Sequence, residues 1–160
     1  QEATNYWMKA TCIVPYYKKN GVIMEPAHGR FLYFSEQRVA RTIMALLNSS
    51  LFYLWFATFS DGFHLSHRLV KEFPLLEALY ANEALEHLAL RLEEEIKLHA
   101  RMSTRNTKAH AIELEEYRLS ASKELLDEID EVLARYYELS TEELAFVVHY
   151  DGKYRMGGFQ

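Results

Sequence analysis

Residues 39–59 form the longest nearly continuous apolar stretch of the chain, rich in isoleucine, leucine, phenylalanine and tryptophan. A helix that is apolar on all sides must be covered by other protein, so this stretch is predicted to be the central core element. Asn48-Ser49-Ser50 interrupts it midway, and Ser60-Asp61-Gly62 ends it. We therefore expect a buried rod with polar loops at its tip.

The rod itself is predicted to contain two helices. Four apolar positions follow helical spacing after Ser35, namely Val39, Ile43, Leu46 and Leu47. Asn48-Ser49-Ser50 should end this helix and cap a second one, because Asn and Ser accept hydrogen bonds from the exposed amides of a helix start. Residues 51–59 are interpreted as a short aromatic helix, although periodicity alone leaves a strand open.

The chain before the rod is predicted to be β-rich, because aromatic and β-branched residues alternate there with turn-forming residues. Strands are expected at residues 5–14, 22–24 and 30–34, with a turn at 16–21 and a loop at 25–29. After the rod, residues 65–72 fit either a short helix or an extended loop. Phe73-Pro74 closes that segment, since proline disfavours helix in the residue before it.

Beyond Leu76 the composition becomes that of acidic amphipathic helices. One apolar stripe comprises Leu85, Leu88, Leu92, Ile96 and His99, with Asn82 as a possible cap. Residues 101–108 are polar and predicted to be a loop, and residues 112–116 fit a strand or a linker. Residues 125–136 predict a further helix capped by Ser122, and Ser140-x-x-Glu143 has the capping-box spacing for a last helix through Val148.

These elements predict an α+β fold, in which a small mixed β-sheet packs on the central buried helical segment and the C-terminal part is helical. The expected division is a β-rich part with the central helix, residues 1–76, and an acidic helical part, residues 77–160. The two parts are expected to pack as one unit.

Charge differs between these two parts. The net charge is -5, made up of +3 up to Leu76 and -8 beyond it. Such asymmetry suggests a division of labour, with anionic partners expected at the first part.

The single cysteine, Cys12, excludes a disulfide scaffold and a cysteine-based zinc site. It is interpreted as a small buried hydrophobe, with a reactive thiol as the alternative. This usage and the lack of a charged and then apolar leader predict a cytoplasmic protein. The polar break argues against membrane insertion of the rod.

Familiar catalytic motifs are missing. The glycines form neither a phosphate cradle nor a dinucleotide fingerprint, and Gly-x-Ser-x-Gly does not occur. Glu95-Ile96-Lys97 matches the end of a metal-nuclease pattern, but it is better explained as part of a helix with Ile96 in its core stripe. His64-x-x-His67 could hold a metal, contact a partner or phosphate, or be plain surface.

Basic and aromatic residues alternate in the first part of the chain. The groups are Tyr16, Tyr17, Lys18 and Lys19, then Arg30, Phe31 and Tyr33, then His64, His67, Arg68 and Lys71. Lys and Arg contact phosphates, while loops can reach base edges in the major groove. Scattered surface cations are also normal, so the pattern alone leaves both explanations open.

Two parts of the sequence resemble the C-terminal target-recognition region of adenine-specific (N6) DNA methyltransferases of restriction-modification and phage-defence systems. The first runs Ala45-Leu46-Leu47-Asn48-Ser49-Ser50-Leu51-Phe52-Tyr53-Leu54-Trp55-Phe56, then Ser60-Asp61-Gly62 and Phe73-Pro74. The second comprises Ile129-Asp130, Leu133, Tyr136, Leu139, Thr141-Glu142-Glu143-Leu144, Phe146, Tyr150-Asp151 and Lys153-Tyr154-Arg155-Met156-Gly157. The catalytic Asn/Asp-Pro-Pro-Tyr/Phe motif and the glycine-bearing S-adenosylmethionine site of that family are absent from this sequence.

The resemblance implies a detached C-terminal part that grips duplex DNA and helps to choose the sequence, without catalytic, metal or cofactor residues of its own. S-adenosylmethionine would bind in the methyltransferase catalytic domain of the same polypeptide. Expected phosphate contacts are Lys18, Lys19, Arg30, Arg68 and Lys71, and Ser60, Asp61, His64 and His67 are expected near the groove. The alternative is a protein-interaction module, in which the acidic helices dock onto that catalytic domain or onto a partner subunit.

Overall fold

The computed structural model describes residues 10–26, 31–62, 64–107, 110–117 and 119–150. The strands are β1 (Tyr17–Lys19), β2 (Val22–Ile23), β3 (Arg101–Asn106) and β4 (Ala111–Glu116). The α-helices are α1 (Gln37–Asn48), α2 (Ser50–Phe59), α3 (His67–Glu72), α4 (Glu83–Leu98), α5 (Lys123–Tyr136) and α6 (Thr141–His149). Short 3-10 helices cover Glu77–Ala81 and Leu119–Ser122. The predicted α+β class is confirmed.

A bent pair of helices, α1 and α2, occupies the centre of the fold. Ser49 separates them in an extended conformation, and the two axes differ by 65°. The Ser49 hydroxyl accepts a hydrogen bond from the Phe52 amide at 3.1 Å and donates one to the Leu46 carbonyl at 2.6 Å. Residues 42–50 are all buried. The predicted helix, cap and second helix are therefore confirmed.

Two buried polar side chains fix the break between these helices. Asp130 of α5 accepts hydrogen bonds from the backbone amides of Ser50 and Leu51 at 2.8 and 3.4 Å. These amides belong to the first turn of α2, where no intrahelical acceptor is available and negative charge is favoured. Asn48 bonds both the amide and the carbonyl of Ala10, at 3.0 and 2.8 Å. The break thus joins α1, α2, α5 and the start of the described chain.

Helix α4 covers α1 through an apolar stripe and two ion pairs. Leu85, Leu88, Leu92 and Ile96 are buried as predicted, and the Asn82 side chain caps the helix at the Leu85 amide, 2.7 Å away. His99 was expected in this stripe but is exposed, because α4 has ended one residue earlier. The ion pairs join Arg38 to Glu86 at 3.0 Å and Arg41 to Glu93 at 3.9 Å.

The four strands form an antiparallel sheet in the order β2-β1-β4-β3. Its first turn is Asn20-Gly21, with φ of 51° and 85°, which are the positive values that a two-residue hairpin turn requires. The turn is shorter than the predicted 16–21, so Tyr17–Lys19 is a strand. The expectation of a loop at 101–108 is wrong for Arg101–Asn106, which pairs with β4 along its whole length. A strand exposed on both faces needs no apolar alternation, and this is why its sequence looks like a loop.

Two other strand predictions fail within the described residues. Residues 10–14 and 31–34 are not strands, because no neighbouring strand pairs with them and the outer strands of the sheet are β2 and β3. Residues 5–9 and Arg30 lie outside the described residues. The predicted strand at 22–24 is confirmed for Val22–Ile23.

The sheet projects from the core. No described strand residue is buried, and none belongs to the hydrophobic cluster formed by the helices. The expected packing of a mixed sheet on the central rod is therefore replaced by an antiparallel sheet held at its base. Asn48 is hydrogen-bonded to Ala10, in the chain that leads into β1. Tyr117, which is buried just after β4, donates a hydrogen bond from its hydroxyl to the Glu115 carboxylate at 2.8 Å. The strands carry too few inward-facing apolar residues to form a second core layer.

The last helices follow their sequence signals closely. Helix α5 buries its apolar face as predicted, although Ser122 at its N-cap makes no capping bond through its side chain. Ser140 and Glu143 form the predicted capping box at the start of α6, and hydrogen bonds from Ser140 lower the pKa of Glu143. The predicted turn and basic tail after residue 150 lie outside the described residues.

The proposed boundary at Leu76 remains a prediction. The sheet takes β1 and β2 from one side of it and β3 and β4 from the other, and α1 packs on α4. Both observations join the two parts in space. In the described part of the chain no single helix is long and apolar enough to cross a membrane, whereas α1 and α2 would meet the criteria of length and composition only if taken together across their bend.

The interpretation of Cys12 as a buried residue is wrong, since Cys12 is exposed. Residues 10–14, which contain it, do not form a strand. Partial desolvation raises the pKa of the Cys12 thiol, and the nearby Glu93 carboxylate raises it further.

Replacing Asp130 with alanine is expected to lower the free energy of unfolding by about 2–3 kcal/mol, because hydrogen bonds to a charged acceptor contribute about 1.5–3 kcal/mol. Glu131→Ala, at the exposed neighbouring position of the same helix, should change it by less than about 0.5 kcal/mol. Urea denaturation followed by circular dichroism measures both. Equal losses for the two variants would contradict the role given to Asp130.

The Cys12 thiol should react with a disulfide reagent such as DTNB in the folded protein, but more slowly at pH 7 than a free cysteine. A raised pKa lowers the fraction of reactive thiolate at that pH. Glu93→Gln removes a carboxylate that raises this pKa and should speed the reaction. Glu94→Gln, at the exposed neighbouring position, is the control and should leave the rate unchanged.

Candidate nucleic-acid interface

Residues 60–62 and 64–71, which we name the 60–71 segment, begin where the buried rod reaches the surface. Ser60 follows α2, and its hydroxyl accepts a hydrogen bond from the Gly62 amide at 2.9 Å. Gly62 has a φ of 71°, a backbone conformation that side chains disfavour. Asp61 accepts a bond from the His64 amide at 2.7 Å, and its other oxygen lies 2.8 Å from His64 Nδ1. The segment therefore starts with a turn fixed by its own polar side chains.

Helix α3 continues the segment and is anchored from below. The Ser66 side chain caps it at the Leu69 amide, 3.1 Å away. Leu69 is buried, and its carbonyl accepts a hydrogen bond from Trp55 Nε1 of α2 at 3.2 Å. Phe73 then packs against Phe52 and Trp55, with ring centroids 5.3 and 5.6 Å apart. One side of α3 is thereby attached to the rod. The sequence leaves a short helix or an extended loop open for residues 65–72. The structure shows a short helix at residues 67–72.

Tyr137, the C-cap residue of α5, completes this attachment. Its hydroxyl donates a hydrogen bond to the Pro74 carbonyl at 2.9 Å, and its ring packs on Phe73 with centroids 5.8 Å apart. Burial raises the pKa of Tyr137 to about 12, so the hydroxyl keeps its proton near neutral pH. The chain just beyond the 60–71 segment is thus bonded to the residue that follows Tyr136 in the second sequence region that carries the resemblance.

The other side of α3 presents cationic residues to solvent. His67, Arg68 and Lys71 are exposed. Arg68 pairs with Glu72 at 2.7 Å within the helix, which raises the pKa of its guanidinium, yet its side chain remains 83% exposed. Exposed ion pairs contribute little free energy, so a phosphate can replace this carboxylate. Within the described part of the chain, Lys71 makes no ion pair.

The structure separates the two lysines of β1. Lys18 lies 2.9 Å from Glu113 of β4, and this carboxylate raises the pKa of its ammonium group. Lys19 lies on the opposite face of the strand and has no ion-pair partner among the described residues. Lys19 is therefore better suited than Lys18 to contact an anion. Arg30 lies outside the described residues.

Ion pairs within the molecule neutralise part of the charge difference between the two parts of the chain. Lys18, Arg38 and Arg41 pair with Glu113, Glu86 and Glu93, all of which come after Leu76. Cations of the first part thus neutralise carboxylates of the second part. Asymmetry along the chain consequently says less about anionic partners than the sequence suggested.

Two basic residues that sequence reasoning missed lie on the sheet. Arg101 and Arg105 are exposed residues of β3. Arg105 is paired across the sheet with Ile112, which is paired in turn with Lys19. The available signal was the spacing of the two arginines, four residues apart, which places both on one face of a strand. The polar composition of residues 101–108 predicts a loop, in which this spacing has no such meaning.

The histidine and acidic motifs do not form a cluster that could hold a metal ion. Within the described residues, no three His, Cys, Asp or Glu side chains lie together as metal ligands would. The His64 ring contacts Asp61, and His67 opens α3. Glu95-Ile96-Lys97 lies on α4, and Ile96 is buried in the core.

Comparison with known proteins identifies no relative: no family model, no curated protein and no solved structure matches the chain. Inferences about function therefore depend on the residues and their geometry.

Replacing Trp55 with phenylalanine tests how α3 is held in place. The aromatic contact with Phe73 should persist, whereas the hydrogen bond to the Leu69 carbonyl is lost at a cost of about 1 kcal/mol. Hydrogen exchange of the α3 amides should become faster. Thr58→Ala removes an exposed hydrogen bond within α2 that does not involve α3, and it should leave that exchange unchanged.

Proposed function

We propose that this chain is the non-catalytic DNA-recognition region of an adenine-N6 DNA methyltransferase. In this role it grips duplex DNA and contributes to the choice of sequence. The observation that carries the proposal is the 60–71 segment, in which exposed cations are mounted on a helix that is anchored to the buried rod. Ser60-Asp61-Gly62 at the start of this segment is part of the sequence that resembles methyltransferase recognition regions.

The construction of this segment suits a contact surface. The Trp55 bond to Leu69 and the packing of Phe73 set the position of α3 relative to the core. Arg68 and Lys71 extend from this fixed helix into solvent. A cation on a positioned helix reaches a phosphate with less loss of conformational freedom than one on a free loop.

Residue roles follow from these surroundings. Arg68, Lys71 and Lys19 supply the phosphate contacts, with Arg30 as a further contact in the sequence-based proposal. Lys18 contributes less, since Glu113 already compensates its charge. Ser60, Asp61, His64 and His67 lie at the start of the segment, where their donors and acceptors would face the groove.

In this proposal, methyl transfer is carried out by another domain of the polypeptide. The catalytic domain of the same polypeptide would bind S-adenosylmethionine and hold the adenine flipped out of the duplex. The region described here would position the duplex so that the chosen adenine reaches that domain. No residue of the present chain is assigned a catalytic role.

The chain should bind duplex DNA weakly, with a dissociation constant of about 10⁻⁴–10⁻⁶ M and strong salt dependence, as expected for contacts that are mainly to phosphate. Fluorescence anisotropy with a labelled duplex at two salt concentrations measures this. Arg68→Glu/Lys71→Glu should weaken binding by about tenfold or more at low salt and reduce the salt slope by about 2.

A control variant with the same change of charge is Lys97→Glu/Arg135→Glu, on exposed positions of α4 and α5. It should bind DNA nearly as the unmodified chain does. Tight binding that does not depend on salt would contradict the proposal. In a protein that contains the methyltransferase domain, unchanged DNA methylation by the Arg68→Glu/Lys71→Glu variant would remove the 60–71 segment from the DNA contact.

The alternative is a protein-interaction module that docks onto the catalytic domain or a partner subunit. Its acidic helices are partly occupied, since Glu86 and Glu93 already pair with α1. A different observation favours it: Val22 and Ile23 of the edge strand β2 are 63% and 70% exposed, and Tyr33 is 87% exposed. Exposed apolar groups on a sheet edge are typical of docking surfaces. Here the charge-reversal variant should leave DNA methylation unchanged.

A further inference from the structure

The register of the sheet sorts its charged residues onto two faces. In an antiparallel sheet, residues directly opposite each other share a face, and successive residues alternate. Lys19, Ile112 and Arg105 form one row across three strands. Tyr17, Leu114 and Ser103 form the next row on the same face, followed by Glu116 and Arg101.

Observed ion pairs agree with this assignment. Arg105 lies 2.6 Å from Glu116, along the face that carries Lys19. Lys18 lies 2.9 Å from Glu113, on the opposite face. Among the strand residues, the first face carries three cations and one carboxylate, and the second carries one cation and two carboxylates. We name the first one the basic sheet face, defined by Tyr17, Lys19, Arg101 and Arg105.

We propose that the basic sheet face is a second contact surface for duplex DNA, distinct from the 60–71 segment. It rests on the proposed function in that both surfaces would hold the same duplex. Lys19, Arg101 and Arg105 bind phosphates, and the side chains between them face the groove.

The spacing of the cations fits a DNA groove. Lys19 and Arg105 are two strands apart, about 10 Å between their Cα atoms, and Arg101 and Arg105 are four residues apart, about 13 Å. The major groove is about 12 Å wide and admits a β-ribbon. Cations at these separations can contact phosphates on both rims of one groove. Ser103 and Ile112, which lie between them, can approach base edges or a thymine methyl group.

The basic sheet face is available to a ligand. Arg101 and Arg105 are exposed, Lys19 is half-buried, and no described strand residue belongs to the core cluster of the helices. Arg101 and Lys19 make no ion pair within the described residues. The pair between Arg105 and Glu116 is at the surface, where a phosphate can displace the carboxylate at small cost.

The end of the sheet beside Lys19 and Arg105 is held together by hydrogen bonds. The Asn20 amide donates to the Ala111 carbonyl at 2.8 Å, and the Ala111 amide donates to the Asn20 side chain at 3.0 Å. Asn20, in the turn between β1 and β2, is therefore fixed to the first residue of β4. Such preorganisation reduces the entropy that binding must offset.

Charge favours a nucleic acid over a protein as the occupant of this face. Protein interfaces are depleted of charge at their centre, whereas three cations around a few apolar and aromatic side chains match a polyanion. An acidic protein segment would be attracted by the same charges, so the experiment includes poly-glutamate as a second probe.

Adjacent lysines on opposite faces provide a matched pair of variants. Lys19→Gln should weaken binding of the chain to a labelled duplex about two- to fivefold at low salt and reduce the salt slope by about 1. Lys18→Gln, one residue away, should change binding by less than about twofold, because Glu113 already compensates that charge. Arg101→Gln/Arg105→Gln should weaken binding about tenfold, and Arg101→Lys/Arg105→Lys should restore most of it.

The outcomes separate this inference from the proposed function. Equal effects of Lys18→Gln and Lys19→Gln would overturn the basic sheet face. They would leave the 60–71 segment in place, provided that Arg68→Glu/Lys71→Glu still weakens binding as expected above. If Arg101→Gln/Arg105→Gln loses binding to poly-glutamate but keeps its binding to DNA, that result would also overturn the inference. If the unmodified chain binds no duplex at low salt, the proposed function is wrong, and this inference, which rests on it, is wrong as well. Circular dichroism and the urea midpoint identify any variant that fails to fold.

Discussion

The whole fold depends on how the polar backbone groups at one helical break are hydrogen-bonded inside the core. Between α1 and α2 the chain turns by 65° in a fully buried environment, where each unpaired backbone amide is costly. Asp130 accepts a hydrogen bond from the first amide of α2, and Asn48, at the same break, accepts one from the Ala10 amide. These bonds set the direction of α2. Through the Trp55 bond to Leu69 they also set the position of α3 and of the 60–71 segment.

Two candidate contact surfaces are supported in different ways. The 60–71 segment is attached to the hydrophobic core through α3, so its geometry is determined by side-chain packing. The sheet has almost no core beneath it, and its geometry depends on backbone pairing and on the two bonds between Asn20 and Ala111. A change in the core should therefore displace the first surface more than the second.

Local signals made much of this structure predictable. Ser49 and Asn82 cap helices, Ser140 and Glu143 form a capping box, and the leucine stripe of α4 is buried, because each involves residues within a few positions of one another. Pairings across the chain were not predictable in this way. The neutralisation of Lys18 by Glu113 joins residues 95 positions apart, and β3 is a strand only because β4 pairs with it. For the same reason the sequence alone does not point to Arg101 and Arg105, whereas local signals do point to the 60–71 segment.

The long separation between β1 and β4 has a consequence for the order of assembly. Their pairing closes a loop of most of the helical chain, so it carries a large entropic cost until the helices have packed. The sheet should form last and, having few buried contacts, should open first while the helices remain folded. A ligand that binds only the paired strands would then stabilise the sheet selectively, coupling recognition to the ordering of the part of the chain that is least stable alone.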